Sequence, residues 1–210
     1  NIKFYQCNIL SNPTTSSSLY ACVYYSNSSG TTTLKNVKFI KNHLNGGYYN
    51  FYLYYPAGNS TSLMPNMSLY IDSNILSNAY YYGIYSYYNA AYKSISYNTI
   101  TSRANLSYYY AMYSYYYTNI DTMVGNKINV SCNYDAYGLY LYMYHNYQGY
   151  GSTGPVFLAN NEIIVQSTNG YTYGMYIYGG GASRFDVLNN SMYLASPNYV
   201  YAIYTYASSL

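Results

Sequence analysis

Residues 137–142 read YGLYLY, and the same phrase returns as YGIYSY from Tyr82 and YGMYIY from Tyr173. Looser copies, with Tyr, a small residue and an apolar residue followed by further tyrosines, begin at Tyr20, Tyr49, Tyr110 and Tyr201. In YGIYSY, Tyr82, Ile84 and Ser86 alternate with Gly83, Tyr85 and Tyr87. A period of two in a Tyr- and Ile-rich run is the pattern of a strand. A second marker lies between successive copies, with apolar anchors at Ile9, Leu44, Ile75, Ile100, Ile128, Ile163 and Met192. Two residues before each anchor stand Cys7, Asn42, Ser73, Asn98, Asn126, Asn161 and Asn190. Alternating pairs precede the anchors (Val37/Phe39, Val156/Leu158, Phe185/Val187) and follow from them (Ile128/Val130, Ile163/Val165, Met192/Leu194). Each unit of roughly 30 residues thus offers three short strands joined by Asn, Gly, Ser and Pro turns. Helical periodicity is nowhere sustained.

Two markers in fixed order, seven times each, define a solenoid. Three strands per unit and no helices predict an all-β parallel β-helix (β-solenoid) of about six turns, with residues 1–210 as a single domain. Composition excludes several other classes. The 210 residues include 41 Tyr and no Trp, and charged residues make up only 6%, against about a quarter in an ordinary domain. Eight Lys and Arg and a net charge of +3 are too sparse for a nucleic-acid footprint. No apolar run approaches the length of a membrane span, and a disordered chain would be poor in aromatics.

The phrase (apolar)-x-(apolar)-x-x-Asn-x-(Ile/Leu/Met), as in Val156–Ile163 and Phe185–Met192, resembles the repeat of right-handed, pectate-lyase-like β-helix proteins, here of a Tyr/Asn-rich secreted surface type. The resemblance covers essentially the whole chain. It implies a right-handed coil and an internal ladder of amide hydrogen bonds, carried here by Asn42, Asn98, Asn126, Asn161 and Asn190. Asn suits such a turn because it tolerates the left-handed conformation and hydrogen-bonds its equivalents. The fold hosts lyases, hydrolases, adhesins and fibres alike, so it fixes no activity.

Alternation assigns the faces of the Tyr strand. The third position (Cys22, Phe51, Ile84, Met112, Leu139, Met175, Ile203) points inward. The fourth and sixth positions point outward, giving two exposed ladders: Tyr52, Tyr85, Tyr113, Tyr140, Tyr176 and Tyr204, and Tyr54, Tyr87, Tyr115, Tyr142, Tyr178 and Tyr206. Neighbouring rings are expected about 4.8 Å apart, the strand spacing. Either these rings simply support one another, or the strip meets a sister filament, a glycan chain or a second domain.

Catalytic chemistry needs clustered charge, and the five acids (Asp72, Asp121, Asp135, Glu162, Asp186) fall at different phases of the repeat. Arg103 and Arg184 lie in connections, and neither His43 nor His145 has a metal-ligand partner at suitable spacing. No enzyme, metal site or cofactor is therefore expected. The three cysteines read either as buried thiols or as a Cys7–Cys22 disulfide with Cys132 left over. Asn27, Asn59, Asn66, Asn105, Asn129 and Asn189 head glycosylation sequons; Asn27 and Asn59 lie in expected exposed loops. Two insertions, Pro56–Met67 and Asn146–Gly154, are expected to leave the coil and reach a neighbour or ligand. Neither end carries the polar cap of a solenoid, which suggests a processed segment or a stacking unit. The sequence-level expectation is an extracellular or cell-surface structural protein, a homo-oligomer or filament formed by end-to-end stacking, with bound or attached glycans. A secreted glycan-binding module is the alternative, and a polysaccharide lyase or hydrolase the third.

Overall fold

The computed structural model describes residues 1–144, 154–180 and 183–207. Every strand pairs parallel with its equivalent one turn away, and three faces result. Face 1 carries β1 (Ile2–Tyr5), β4 (Val37–Ile40), β7 (Leu69–Asp72), β10 (Ala90–Ser96), β14 (Thr122–Val124), β17 (Val156–Ala159) and β20 (Phe185–Leu188). Face 2 carries β2 (Asn8–Leu10), β5 (His43–Asn45), β8 (Ile75–Ala79), β11 (Thr99–Ser102), β15 (Lys127–Cys132), β18 (Glu162–Ser167) and β21 (Ser191–Ala195). Face 3 holds the Tyr strands β3 (Ala21–Ser26), β6 (Tyr49–Tyr54), β9 (Tyr82–Tyr87), β12 (Tyr109–Tyr116), β16 (Ala136–Met143), β19 (Thr172–Gly179) and β22 (Val200–Ala207). Faces 2 and 3 are unbroken seven-stranded sheets, so the coil has seven rungs. Face 1 is interrupted after β10, which pairs instead with the short β13 (Thr118–Ile120). There the Ser96 hydroxyl accepts from the Val124 N–H and bridges the gap.

The core is a column of stacked apolar rows. On face 2 the inward row is Ile9, Leu44, Leu76, Ile100, Ile128, Ile163 and Met192. On face 3 it is Val23, Phe51, Ile84, Met112, Leu139, Met175 and Ile203. Each fully buried Leu, Ile, Met or Phe in these rows contributes about 1.5–3 kcal/mol of transfer free energy. Two sequence expectations need correction by one residue. Leu76, not Ile75, is the buried anchor of the third rung; Ile75 is 50% exposed. Val23, not Cys22, pairs with Phe51 in the first. In each case two adjacent apolar residues compete, and strand register decides between them.

The small second position of the Tyr strand has a steric cause. A Cβ on Gly138 would lie 2.6 Å from the Gly174 carbonyl oxygen and 2.7 Å from Ile163 Cγ2. Gly83 and Gly174 meet the same obstacles, a carbonyl of the next rung and an anchor of face 2. Strand pairing skips this position in every rung. The second and third residues therefore both face inward, and the first Tyr is turned out. Strict alternation would have sent Tyr82 and its equivalents into the core. They lie on the surface instead.

The Pro56–Met67 insertion does not reach outward. Its 3₁₀ turn, Thr61–Asn66, folds back so that Ala57, Met64 and Met67 are buried. The second insertion lies outside the described residues except for Gly154, as do His145, Gly181 and the last residues, Ser208–Leu210. Arg103 ties the long Ser11–Tyr20 connection down along the coil, donating to the carbonyls of Pro13 (2.7 Å) and Thr15 (3.2 Å).

The tight second position makes Gly138→Ala destabilising by about 1–3 kcal/mol, the usual range for overpacking. Gly179→Ala, whose added Cβ would meet only side chains at 3.3 Å, should lose far less. Denaturant unfolding of the two variants checks the difference.

Candidate interaction surface

Two arrays run the length of the coil, one inside and one outside. The inner array lies at the corner between faces 1 and 2. There the side-chain oxygen of each Asn accepts from both the backbone N–H and the Nδ2 of the Asn one rung earlier. The contacts run Asn42 to Asn74 (2.9 and 3.0 Å), Asn74 to Asn98 (3.0 and 3.1 Å) and Asn98 to Asn126 (3.0 and 3.1 Å). They continue from Asn126 to Asn161 (3.0 and 2.9 Å) and from Asn161 to Asn190 (2.9 and 2.8 Å). Each Nδ2 also donates to a face 1 carbonyl of the preceding rung, such as Ile71 O from Asn98 and Ile95 O from Asn126. The first rung has Cys7, which contributes only its N–H to Asn42 Oδ1.

Asn74, not Ser73, is thus the third member of the ladder, and the sequence expectation is corrected there. The conformational argument for Asn is corrected too. The left-handed residue is the one before the ladder position: Gln6, Lys41, Ser73, Tyr97, Gly125, Asn160 and Asn189 all have φ between 52° and 67°. The ladder Asn is selected by its amide and not by its backbone. Tight strand spacing then lets one buried amide satisfy the next.

The outer array is face 3. None of the residues in its seven strands is charged. Three parallel columns of rings cross it. The first is Tyr49, Tyr82, Tyr110, Tyr137, Tyr173 and Tyr201, with centroids 4.4–5.3 Å apart. The second is Tyr24, Tyr52, Tyr85, Tyr113, Tyr140, Tyr176 and Tyr204, at 4.5–5.4 Å. The third is Tyr54, Tyr87, Tyr115, Tyr142, Tyr178 and Tyr206, at 4.0–5.4 Å. Within a rung, first- and second-column rings meet edge to face, as in Tyr82–Tyr85 at 68° and Tyr110–Tyr113 at 88°. Both geometries suit the ring quadrupole and contribute about 0.5–1.5 kcal/mol per pair.

The first column, which sequence alternation placed inside, is a further element of the surface. Its signal was the Gly or Ala that follows it in every rung except that of Tyr49, where Asn50 stands. The thirteen tyrosines of the other two columns point outward but cover one another. Tyr24 and Tyr206, in the outermost rungs, are exposed, Tyr178 is buried, and the other ten are half-buried. Ring faces are taken up by stacking along the coil, so the surface presents ring edges and hydroxyls. Burial, with neighbouring phenols adding to it, pushes Tyr140 and Tyr173 up to about 12 and drives several others further in the same direction.

The charged residues sit elsewhere and singly. Asp121 pairs with Lys93 at 2.8 Å, and Asp186 with Arg184 at 3.1 Å. Asp135 accepts from the Tyr171 N–H, and Glu162 stands beside Lys127 in the face 2 register. Asp72 accepts from Ser94 and Ser96, yet burial raises its pKa. His43 Nε2 lies 3.1 Å from the Ser77 hydroxyl. Among the described residues no three His, Cys, Asp or Glu converge, and no helix is long and apolar enough to cross a membrane.

All three cysteines are free, so the Cys7–Cys22 bridge is not formed. Cys7 lies at the corner before face 2 and donates to Tyr5 O, whereas Cys22 starts face 3 and reaches the carbonyls of Asn45 and Gly46. Burial pushes the Cys132 thiol up to about 12. Of the sequon residues, Asn59, Asn66, Asn105, Asn129 and Asn189 are exposed. Asn27 is half-buried, its Nδ2 donating to Thr32 O at 2.8 Å. Comparison with protein-family models, curated proteins and solved structures finds no match.

Two outcomes follow. Asn126→Ala removes the acceptor of the Asn98 N–H and the donor to Ile95 O, two buried groups that cost about 1–3 kcal/mol each when orphaned. Denaturant unfolding should therefore show a loss above about 2 kcal/mol. The raised phenol pKa values favour the folded state below the ordinary phenol value of about 10, where that contribution is complete, and it is lost as pH rises through about 12. Stability measured against pH should be flat to about 10 and then fall. Phenolate absorbance should lag in the native chain relative to the denatured one.

Proposed function

We propose that this chain is a structural segment or subunit of an extracellular fibre or surface adhesin, built by continued stacking of the coil and by contacts through its Tyr face. One observation carries the reading: face 3 is an uncharged, self-stacked aromatic surface running through all seven rungs. A solvated face of this size normally carries charge, and a contiguous aromatic one of this extent marks a contact surface. The singly placed acids favour a non-enzymatic role. The buried Asn ladder favours the right-handed, pectate-lyase-like variety of solenoid, since a parallel crossover is almost always right-handed. Hydroxyl- and amide-rich polarity with exposed sequon residues supports a secreted, glycan-bearing chain. A sugar platform is the weaker reading, because sugars stack on open ring faces and these faces are closed by their neighbours.

In the proposed stack a second copy would continue the register of the rungs. Continuing the register would set Ile203 over Val23, Tyr204 over Tyr24 and Met192 over Ile9 of the next copy. It would also bring Asp186 opposite Lys3, since each occupies the outward position just before an inward apolar residue, Val187 and Phe4.

Electron microscopy of the purified chain tests this. Filaments with a layer line near 4.8 Å, made shorter by Lys3→Glu, are expected. Monodisperse short particles at every concentration would overturn the stacking.

A further inference from the structure

The third tyrosine column has a geometry that contact alone does not require. The rings of Tyr142 and Tyr178 lie 4.0 Å apart with planes only 1° from parallel, the closest pair on the face. The two side chains leave paired positions of adjacent parallel strands, so the two rings point the same way. With carbon atoms in contact at about 3.5 Å, a 4.0 Å centroid distance leaves a sideways slip of at most about 2 Å. Equivalent ring carbons, including those ortho to the two hydroxyls, are therefore separated by about the same 4.0 Å as the centroids. Tyr178 is buried, but its column is not isolated: Tyr206 is 57% exposed and stacks on it at 5.4 Å. On the other side Tyr115 stacks on Tyr142 at 4.7 Å, with Tyr87 and Tyr54 beyond at 5.4 Å each.

We propose that this column is a site of oxidative cross-linking, and that its product is a dityrosine joining Tyr142 of β16 to Tyr178 of β19. The co-reactant is hydrogen peroxide acting through a one-electron oxidant of the haem-peroxidase class. Each oxidation takes one electron and one proton from a phenol and leaves a phenoxyl radical. A radical formed at an accessible ring such as Tyr206 is passed inward when the neighbouring phenol gives up its own electron and proton. Phenoxyl spin resides partly on the ortho carbons. When two radicals share the column they combine where those carbons are closest. One carbon–carbon bond forms, each joined carbon releases its hydrogen as a proton, and both phenols are restored. In sum, two tyrosines and one peroxide give one dityrosine and two waters. The link would staple two adjacent rungs of face 3 covalently, and it needs no second copy of the chain. It therefore stands apart from filament formation.

The experiment treats the full chain, dilute and at neutral pH, with a haem peroxidase and hydrogen peroxide, followed by proteolysis and mass spectrometry of linked peptides. The expected result is a dominant intramolecular link, lighter by two hydrogens, between the peptides holding Tyr142 and Tyr178. Tyr142→Phe keeps the stacked ring and should abolish that link. Chain denatured before oxidation should show links scattered among its tyrosines. Links in the native chain led by isolated exposed residues such as Tyr97 and Tyr193, an undiminished yield in Tyr142→Phe, or no dityrosine at all would each overturn the proposal.

Discussion

The spacing between parallel strands is the constraint on which the rest of this structure depends. Once every turn sits directly on the last, each residue meets its own equivalent at a fixed separation of about 4.8 Å. Only side chains that are good neighbours for themselves can then occupy a row. Leu, Ile, Met and Phe meet this condition by packing, and Asn meets it because its amide carries both donor and acceptor. Ladder oxygens take two donors from the preceding rung, and Nδ2 groups return one to a strand carbonyl. A charged side chain fails the same condition, which accounts for the scarcity of Asp, Glu, Lys and Arg in the repeated positions. In the strand registers Lys127 stands beside Glu162, while Lys3 beside Lys38 is a like-charged pair whose next neighbour is the neutral Tyr70.

Much of this was legible in the sequence because repetition amplifies weak local signals. One YGxYxY phrase is ambiguous; three of them and four looser copies, with interleaved Asn anchors, define strand number, rung length and direction of stacking. Legibility failed where two neighbouring residues satisfied the same pattern. Ile75 and Leu76 are both apolar, and Ser73 and Asn74 are both turn residues, so the third rung was placed one residue early. Ala21 replaces the leading Tyr of the first rung, and the phrase appeared to begin at Tyr20. The outward turn of Tyr82 and its equivalents was hidden for a different reason. It depends on a carbonyl in the next rung and on an anchor of another face, contacts that no local period encodes. The path of the Ser11–Tyr20 connection was likewise invisible, since it is held by Arg103, some 90 residues away.

The chemistry of the surface follows from the same constraint. Tyr is the aromatic side chain that can form a row facing water, because its ring stacks on the next while its hydroxyl remains at the rim. Stacking has a consequence for recognition. It closes the π faces, the part of an aromatic residue that a sugar or a cation would use, and leaves edges and hydroxyls. Such a surface is better suited to another array of edges and hydroxyls with the same repeat than to a single small ligand. Phenols are neutral under ordinary conditions, so the rows do not repel themselves, and the burial that raises their pKa values extends that range upward.

Segregation of charge sharpens that conclusion. Lys3, Lys38 and Lys93 lie on face 1, and Lys127 and Glu162 on face 2, while the strands of face 3 hold none. If face 3 were merely solvated, nothing in the coil would bar charge from the outward positions that Tyr fills there, since faces 1 and 2 accept it with identical strand geometry. The difference between faces is therefore not imposed by the fold. It is the difference expected under the proposed function, in which face 3 meets a neutral partner with the same repeat.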